Sequence, residues 1–127
     1  MKEFSWRTPY VRTHLYFGDA TEFAEAEDAS VILANFSGPV IWLEMIEAKR
    51  GHGNEGSETL KLFARKHDVK AIGLQVVPVP DRGDEESRLK VEAFYQRHGW
   101  EARRDLTPWS DYMVMVFTGR TFAGLLW

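Results

Sequence analysis

The chain joins an apolar run, Val40 to Glu47, to an amphipathic run, Glu58 to His67, through Lys49-Arg50-Gly51-His52-Gly53-Asn54-Glu55-Gly56-Ser57. No other part of the sequence restricts the fold as much. The apolar run is nearly continuous, the pattern of a central strand covered on both faces. In the second run Leu60, Phe63, Ala64 and His67 fall at helical spacing on one face, with Lys61, Arg65 and Lys66 on the other. Three glycines lie within six residues of the connecting segment, and glycine lets a backbone curl and approach a ligand without side-chain clash. Basic residues precede the glycines and a helix start follows. Free N–H groups and the positive end of a helix dipole suit an anion, such as the pyrophosphate of a nucleotide-containing cofactor. A glycine-rich connection with no ligand shows the same pattern, and this segment alone leaves both readings open.

Other segments place this unit within one domain. A chain of 127 residues with 44% hydrophobic residues is large enough to bury a real core. Thr13 to Phe17 reads as a short strand closed by Gly18-Asp19. Ala20 to Ala29 fits a helix lined by Phe23, Ala24 and Ala26, or an exposed strand through Phe23, Glu25 and Glu27; the helix is preferred. Val31 to Phe36 reads as a strand, and Ser37-Gly38-Pro39 as a turn. Ala71 to Val77 is a second buried strand, stopped by Pro78-Val79-Pro80 and followed by a polar loop from Asp81. Leu89, Ala93, Phe94 and Tyr95 mark a second amphipathic helix. Its start is acidic (Asp84, Glu85, Glu86), its end basic (Arg97, His98), and Gly99 follows as a natural stop. Trp100 to Arg104 and Tyr112 to Phe117 read as a closing strand pair around Thr107-Pro108-Trp109-Ser110. The order implies an α/β fold, a mixed sheet flanked by helices, with Leu43, Ile72, Leu74 and Phe94 deep in the core.

Composition narrows the function. The formal charge is −3 with no cationic tail, so nucleic-acid binding is not expected. With no cysteine, disulfides, zinc fingers and a thiol nucleophile are excluded together. His52, His67 and His98 lack ligand spacing and His14 is isolated, so no metal site is expected. The longest apolar stretch, Pro39 to Leu43, is far too short for a bilayer, and no signal-peptide h-region opens the chain. A cytoplasmic protein that does not bind membranes is the expectation.

Two motifs carry a resemblance. Arg50-Gly51-His52-Gly53 follows a strand and precedes a helix, and Phe94-Tyr95-Gln96-Arg97-His98-Gly99-Trp100 ends the second helix. Together, with a strand between them, they resemble the GNAT superfamily of N-acetyltransferases across about residues 39 to 117. Three departures stand out. Glu55 replaces a small residue at the end of the loop motif, and Arg88 stands where many members carry Asn. The family's first two helices have room for only one short helix.

The resemblance implies a splayed sheet and acetyl-CoA as co-substrate. The backbone of Ile46, Glu47 and Ala48 would hold the thioester and pantetheine arm. The loop Arg50, Gly51, His52, Gly53, Asn54, Glu55, Gly56 and Ser57 would hold the pyrophosphate, with Lys49 and Arg97 near the phosphates. Tyr95 would protonate the departing thiolate; alternatively it is a core tyrosine. The acceptor would be a primary amine: a protein lysine, an N-terminus or a polyamine-like molecule. Monomer and homodimer are both compatible with it. A non-catalytic binding module on the same fold is the alternative, including a phage or mobile-element protein that acts on a host factor.

Glu44 and Glu47 are the candidate bases, because a carboxylate within a buried strand is costly unless it is paired or working. By period-two alternation Glu44 shares a face with Trp42 and Ile46. The structural alternative for Glu44 is an ion pair with a neighbouring strand or an exposed edge, and for Glu47 a strand-end position on the surface. The acidic run Glu22, Glu25, Glu27 and Asp28 would attract a cationic amine or form a solvated face. Trp6, Trp109 and Trp127 would cover a pocket or an interface.

Overall fold

The computed structural model describes residues 1–75, 84–106 and 112–117. The strands are β1 (Lys2–Arg7), β2 (Val11–Asp19), β3 (Pro39–Ala48), β4 (Ala71–Gln75), β5 (Trp100–Ala102) and β6 (Tyr112–Phe117), and the α-helices are α1 (Gly53–Lys66) and α2 (Asp84–Gln96). All six strands form one sheet in the order β1-β2-β3-β4-β6-β5. Val40 to Leu43 of β3 run parallel to Ala71 to Leu74 of β4, while the other neighbours pair antiparallel. The two apolar runs are thus adjacent strands at the centre, and the strand pair expected near the C-terminus is β5 and β6. The Pro78–Pro80 stop, the Thr107–Ser110 loop, Trp109 and Trp127 lie outside the described residues.

Alternation along β3 divides the core. Ile41 and Leu43 join Leu15, Leu60, Ala64, Ile72 and Tyr95 on the face covered by the α-helices. Val40 and Trp42 join Ala20, Phe23, Leu33 and Ala71 on the other. Two short 3₁₀ helices, Ala20–Phe23 and Ala29–Asn35, cover that second face. They replace two expectations, a helix over Ala20 to Ala29 and a strand over Val31 to Phe36. Asp19 and Glu22 form a reciprocal capping box on the first turn. Asp28 accepts from the Ser30 amide at 2.9 Å and starts the second. Ser30 and Leu33 are buried while Val31 is 40% exposed. That three-residue spacing is the 3₁₀ period, and it overrides the β-branched alternation at Val31.

Other differences are local. β1 has no counterpart in the sequence reading; it pairs with β2 across a turn in which the Thr8 hydroxyl accepts from the amides of Tyr10 and Val11. Helix α1 starts at Gly53, five residues before the expected Glu58. Gly51 has φ +86 and the His52 amide donates to the Lys49 carbonyl at 2.8 Å, so the chain reverses within four residues. Along α2 the inward positions are Val91, Glu92 and Tyr95, with Leu89 exposed and Phe94 half-buried. Phe94 is therefore not the deep core residue expected; Leu43, Ile72 and Leu74 are. Glu92 tolerates burial because Arg104 grips both of its oxygens, at 3.0 and 3.1 Å.

Gly73 on β4 stands opposite Trp42. A Cβ there would lie 2.8 Å from the indole ring. Gly73→Ala should therefore destabilise the protein by about 1–3 kcal/mol, the usual range for overpacking a well-filled core. Urea unfolding followed by tryptophan fluorescence measures this; an unchanged midpoint would show that Trp42 moves aside freely.

Candidate functional site

The site begins with one extra residue. Leu43 pairs with Leu15, but Met45 pairs with His14, so Glu44 has no partner on β2. A bulge of this kind bends its strand and re-aims the residues beyond it. Among the described residues the last β3–β4 pair is Leu43 with Leu74. From Met45 to Ala48, β3 keeps β2 on one side, and no described residue pairs with it on the other. A cleft of about 490 Å³ opens there, between Leu43–Glu47 of β3, Leu74 and Gln75 of β4, and Lys90, Val91, Phe94 and Tyr95 of α2.

The bulge also corrects the face assignment along β3. Ile46 packs against the α1 core with Leu43, and a Cβ on Gly56 would lie 3.3 Å from Ile46 Cδ1. Glu44 keeps the face of Trp42, where both line a second pocket of about 350 Å³ with Tyr16, Phe23, Glu27, Asp28 and Ser30. Glu44 is thus the residue where cleft and pocket meet. It is exposed, not a carboxylate buried in a strand as expected, and it makes no ion pair among the described residues. Glu47 is exposed as well, and Arg12 holds it at 2.6 Å. Glu47 thus has the surface position considered as its structural alternative, and the ion pair to Arg12 comes in addition.

Tyr95 forms the inner wall of the cleft and is 5% exposed. Burial pushes its phenol above the ordinary value of 10.0, because a phenolate there would lose its hydration. The hydroxyl is consequently protonated at neutral pH. Phe94 lies between the cleft and the start of α1: its ring would touch a Cβ on Gly53 at 3.6 Å. The Arg97 guanidinium sits over the other part of this cluster, 5.8 Å from the Phe94 ring centre.

The glycine segment divides into two parts. Lys49, Arg50, Gly51 and His52 form the turn, and the space where a Cβ on Gly51 would sit is open. The amides of Gly53, Asn54 and Glu55 open α1, with no carbonyl one turn earlier to bond within the helix. Lys49 and Arg50 are exposed and make no ion pair among the described residues. Gly56 and Ser57, by contrast, are buried inside α1 against β3. They belong to the packing of the helix, not to a loop around phosphate. His52 stacks on Tyr10, ring centres 3.9 Å apart and 3° from parallel. Glu55 Oε2 is buried with no hydrogen-bond partner, 3.6 Å from His52 Nδ1.

Sequence reasoning found Ile46, Glu47 and Tyr95 on the cleft wall and Glu44 at its rim. Lys90, Val91 and Gln75 escaped it, because no local pattern shows where two strands part. The short run Leu43-Glu44-Met45, a charge between apolar residues, was the available sign of a bulge. Among the described residues no group of His, Asp or Glu is arranged to hold a metal, and no helix is long and apolar enough to cross a membrane.

The buried phenol has a consequence for stability. The folded state keeps the Tyr95 proton at pH values where the unfolded chain has lost it. Stability contributed by the neutral phenol is thus complete below pH 10 and falls as pH rises above it. Urea midpoints measured on either side of this pH should drop less in Tyr95→Phe than in the unaltered protein; equal drops would mean that the phenol is not buried. Comparison with known protein families, with characterised proteins and with solved structures finds no match to this chain.

Proposed function

We propose that this chain is a GNAT-type N-acetyltransferase that moves an acetyl group from acetyl-CoA to a primary amine. The observation that carries the reading is the cleft opened by the Glu44 bulge between two central parallel strands, with a glycine turn and helix start at one end and a buried, protonated tyrosine inside. The residues fit a thin acyl-CoA arm. Beyond Leu43 no described residue pairs with β3 on its β4 side, so the backbone of Ile46 and Glu47 at the cleft, and of Ala48 after them, would offer N–H and C=O groups to the pantetheine. Open space over Gly51 and the unbonded first-turn amides admit pyrophosphate, with Lys49, Arg50 and Arg97 as nearby cations.

The chemistry asks little of the protein. An amine nitrogen attacks the thioester carbonyl, the C–S bond breaks, the nitrogen loses a proton and the sulfur gains one. Tyr95 supplies the proton to sulfur. Glu44, uncommitted to any ion pair among the described residues, takes the proton from the amine directly or through water. The pocket behind it is aromatic and acidic, with Tyr16, Trp42, Glu27 and Asp28. A cationic amine such as a lysine side chain or a polyamine end suits those walls. One feature favours the second reading, a binding module without turnover: the Glu55 carboxylate stands in the first turn of α1, where it opposes phosphate.

Acetyl-CoA should raise the melting temperature, since a ligand at about 100 times its Kd stabilises the native state by about 2.7 kcal/mol. Gly51→Val and Gly53→Val should remove that shift while leaving a cooperative melt. No shift and no heat on titration into the unaltered protein would refute the cofactor assignment.

Tyr95→Phe keeps the ring and removes the acid. Turnover should fall about 10²-fold or more while the acetyl-CoA shift persists. The assay is acetylation of polyamines and lysine peptides, read by mass spectrometry, with Glu44→Gln tested in parallel. Equal product from Tyr95→Phe would remove the tyrosine from the mechanism. No product from any acceptor, despite acetyl-CoA binding, would favour the binding module.

A further inference from the structure

We infer that the outer edge of the sheet pairs with a second copy of this chain, β1 against the partner's β1, across a twofold axis at Ser5. β1 is an edge strand: β2 lies on its inner side, and no described strand lies on its outer side. Edge strands present a row of unpaired backbone N–H and C=O groups, and proteins usually protect them by shortness, charged side chains, proline or a bulge. The opposite edge uses shortness, because β5 has three residues. β1 has charges at Lys2, Glu3 and Arg7 as its one such device, and those of opposite sign can pair across a twofold axis. It has six residues, contains no proline, and its ladder with β2 runs from Lys2 to Arg7 without a register shift.

The side chains on β1 name the partner. In an antiparallel ladder wide and narrow residue pairs alternate, so a twofold axis passes through a residue and not between two. Centred on Ser5, the axis puts Glu3 opposite the partner's Arg7 and Phe4 opposite the partner's Trp6, each twice. Centred on Phe4, it puts Glu3 opposite the partner's Ser5 and Lys2 opposite the partner's Trp6, with no ion pair. Only the Ser5 register matches charge with charge and ring with ring. Both members of each pair then lie on one face of the continued sheet, since cross-strand neighbours share a face.

The groups involved are unsatisfied in the single chain. Arg7 stands opposite Arg12, a repulsive cross-strand pair. Arg12 is neutralised by Glu47, whereas Arg7 has no carboxylate partner among the described residues. The Glu3 carboxylate is 58% exposed, and its one polar contact among the described residues is from one oxygen to the His14 ring, which leaves the other for a guanidinium. Phe4 and Trp6 are half-exposed and both lean on Phe63 of α1, at 5.3 and 5.7 Å between ring centres. In the pair, each Phe4 meets the partner's Trp6, and two aromatic strips close into one. Such an interface is isologous and closes as a dimer.

Sedimentation equilibrium across the micromolar-to-millimolar range tests this, with circular dichroism confirming the fold of every variant. The unaltered protein should form dimers and no larger species. Glu3→Arg sets Arg against Arg and Arg7→Glu sets Glu against Glu, so each should raise the dimer dissociation constant about tenfold or more. The double variant Glu3→Arg with Arg7→Glu restores opposite charges and should recover dimerisation. Ser5→Lys brings two like charges together at the axis and should give monomer. A monomeric unaltered protein, single variants that dimerise as before, or a double variant that stays monomeric would each overturn the assignment.

Discussion

A single residue without a partner on β2, Glu44, marks the place where the cleft of this molecule begins. For four residues β3 is a buried parallel neighbour of β4, and its backbone is fully used in the ladder. The extra residue then bends the strand, and among the described residues the β3–β4 pairing goes no further. The cleft between β3, β4 and α2 lies at this point, with Glu44 exposed at it and Tyr95 buried along it.

The same bend distributes chemistry between the two faces of the sheet. Before it, Ile41 and Leu43 point to the α-helices; after it, Ile46 does, a spacing that regular alternation would not give. The helical face therefore stays apolar up to the start of α1, while Glu44 and Glu47 go to the side with the 3₁₀ helices. Glu27, Asp28 and Glu44 line the pocket beside Trp42, whereas Arg7, Arg12 and Lys49 line a pocket of about 750 Å³ at the hairpin tip together with Glu47, which pairs with Arg12.

Much of the architecture was legible because it depends on local patterns. The continuous apolar runs marked β3 and β4 as central, and the glycine turn between β3 and α1 followed from composition. Gly99, with φ +95, ends the turn after α2 where the sequence placed a helix stop. The 3₁₀ helix over Ala29–Asn35 was not legible, since Val31, Ile32 and Leu33 carry strand propensity and only the Asp28 cap and the tertiary role of Leu33 decide against it. α2 misled in a similar way. Phe94 is the more apolar residue, yet Tyr95 takes the buried position, on the side of the helix that also carries the buried Glu92.

The sequence by itself determined the α/β class, the central pair of strands, the turn that joins β3 to α1 and the presence of a tyrosine near the end of α2. These rest on periodicity, glycine freedom and capping, which act over a few residues. Only the tertiary structure decided that β3 carries a bulge at Glu44, that Glu47 is spent on Arg12, that Gly56 and Ser57 pack inside a helix, and that β1 is the outermost described strand. Each of those depends on which residue of a distant strand stands opposite, and register is a property of two segments together, set when both are packed.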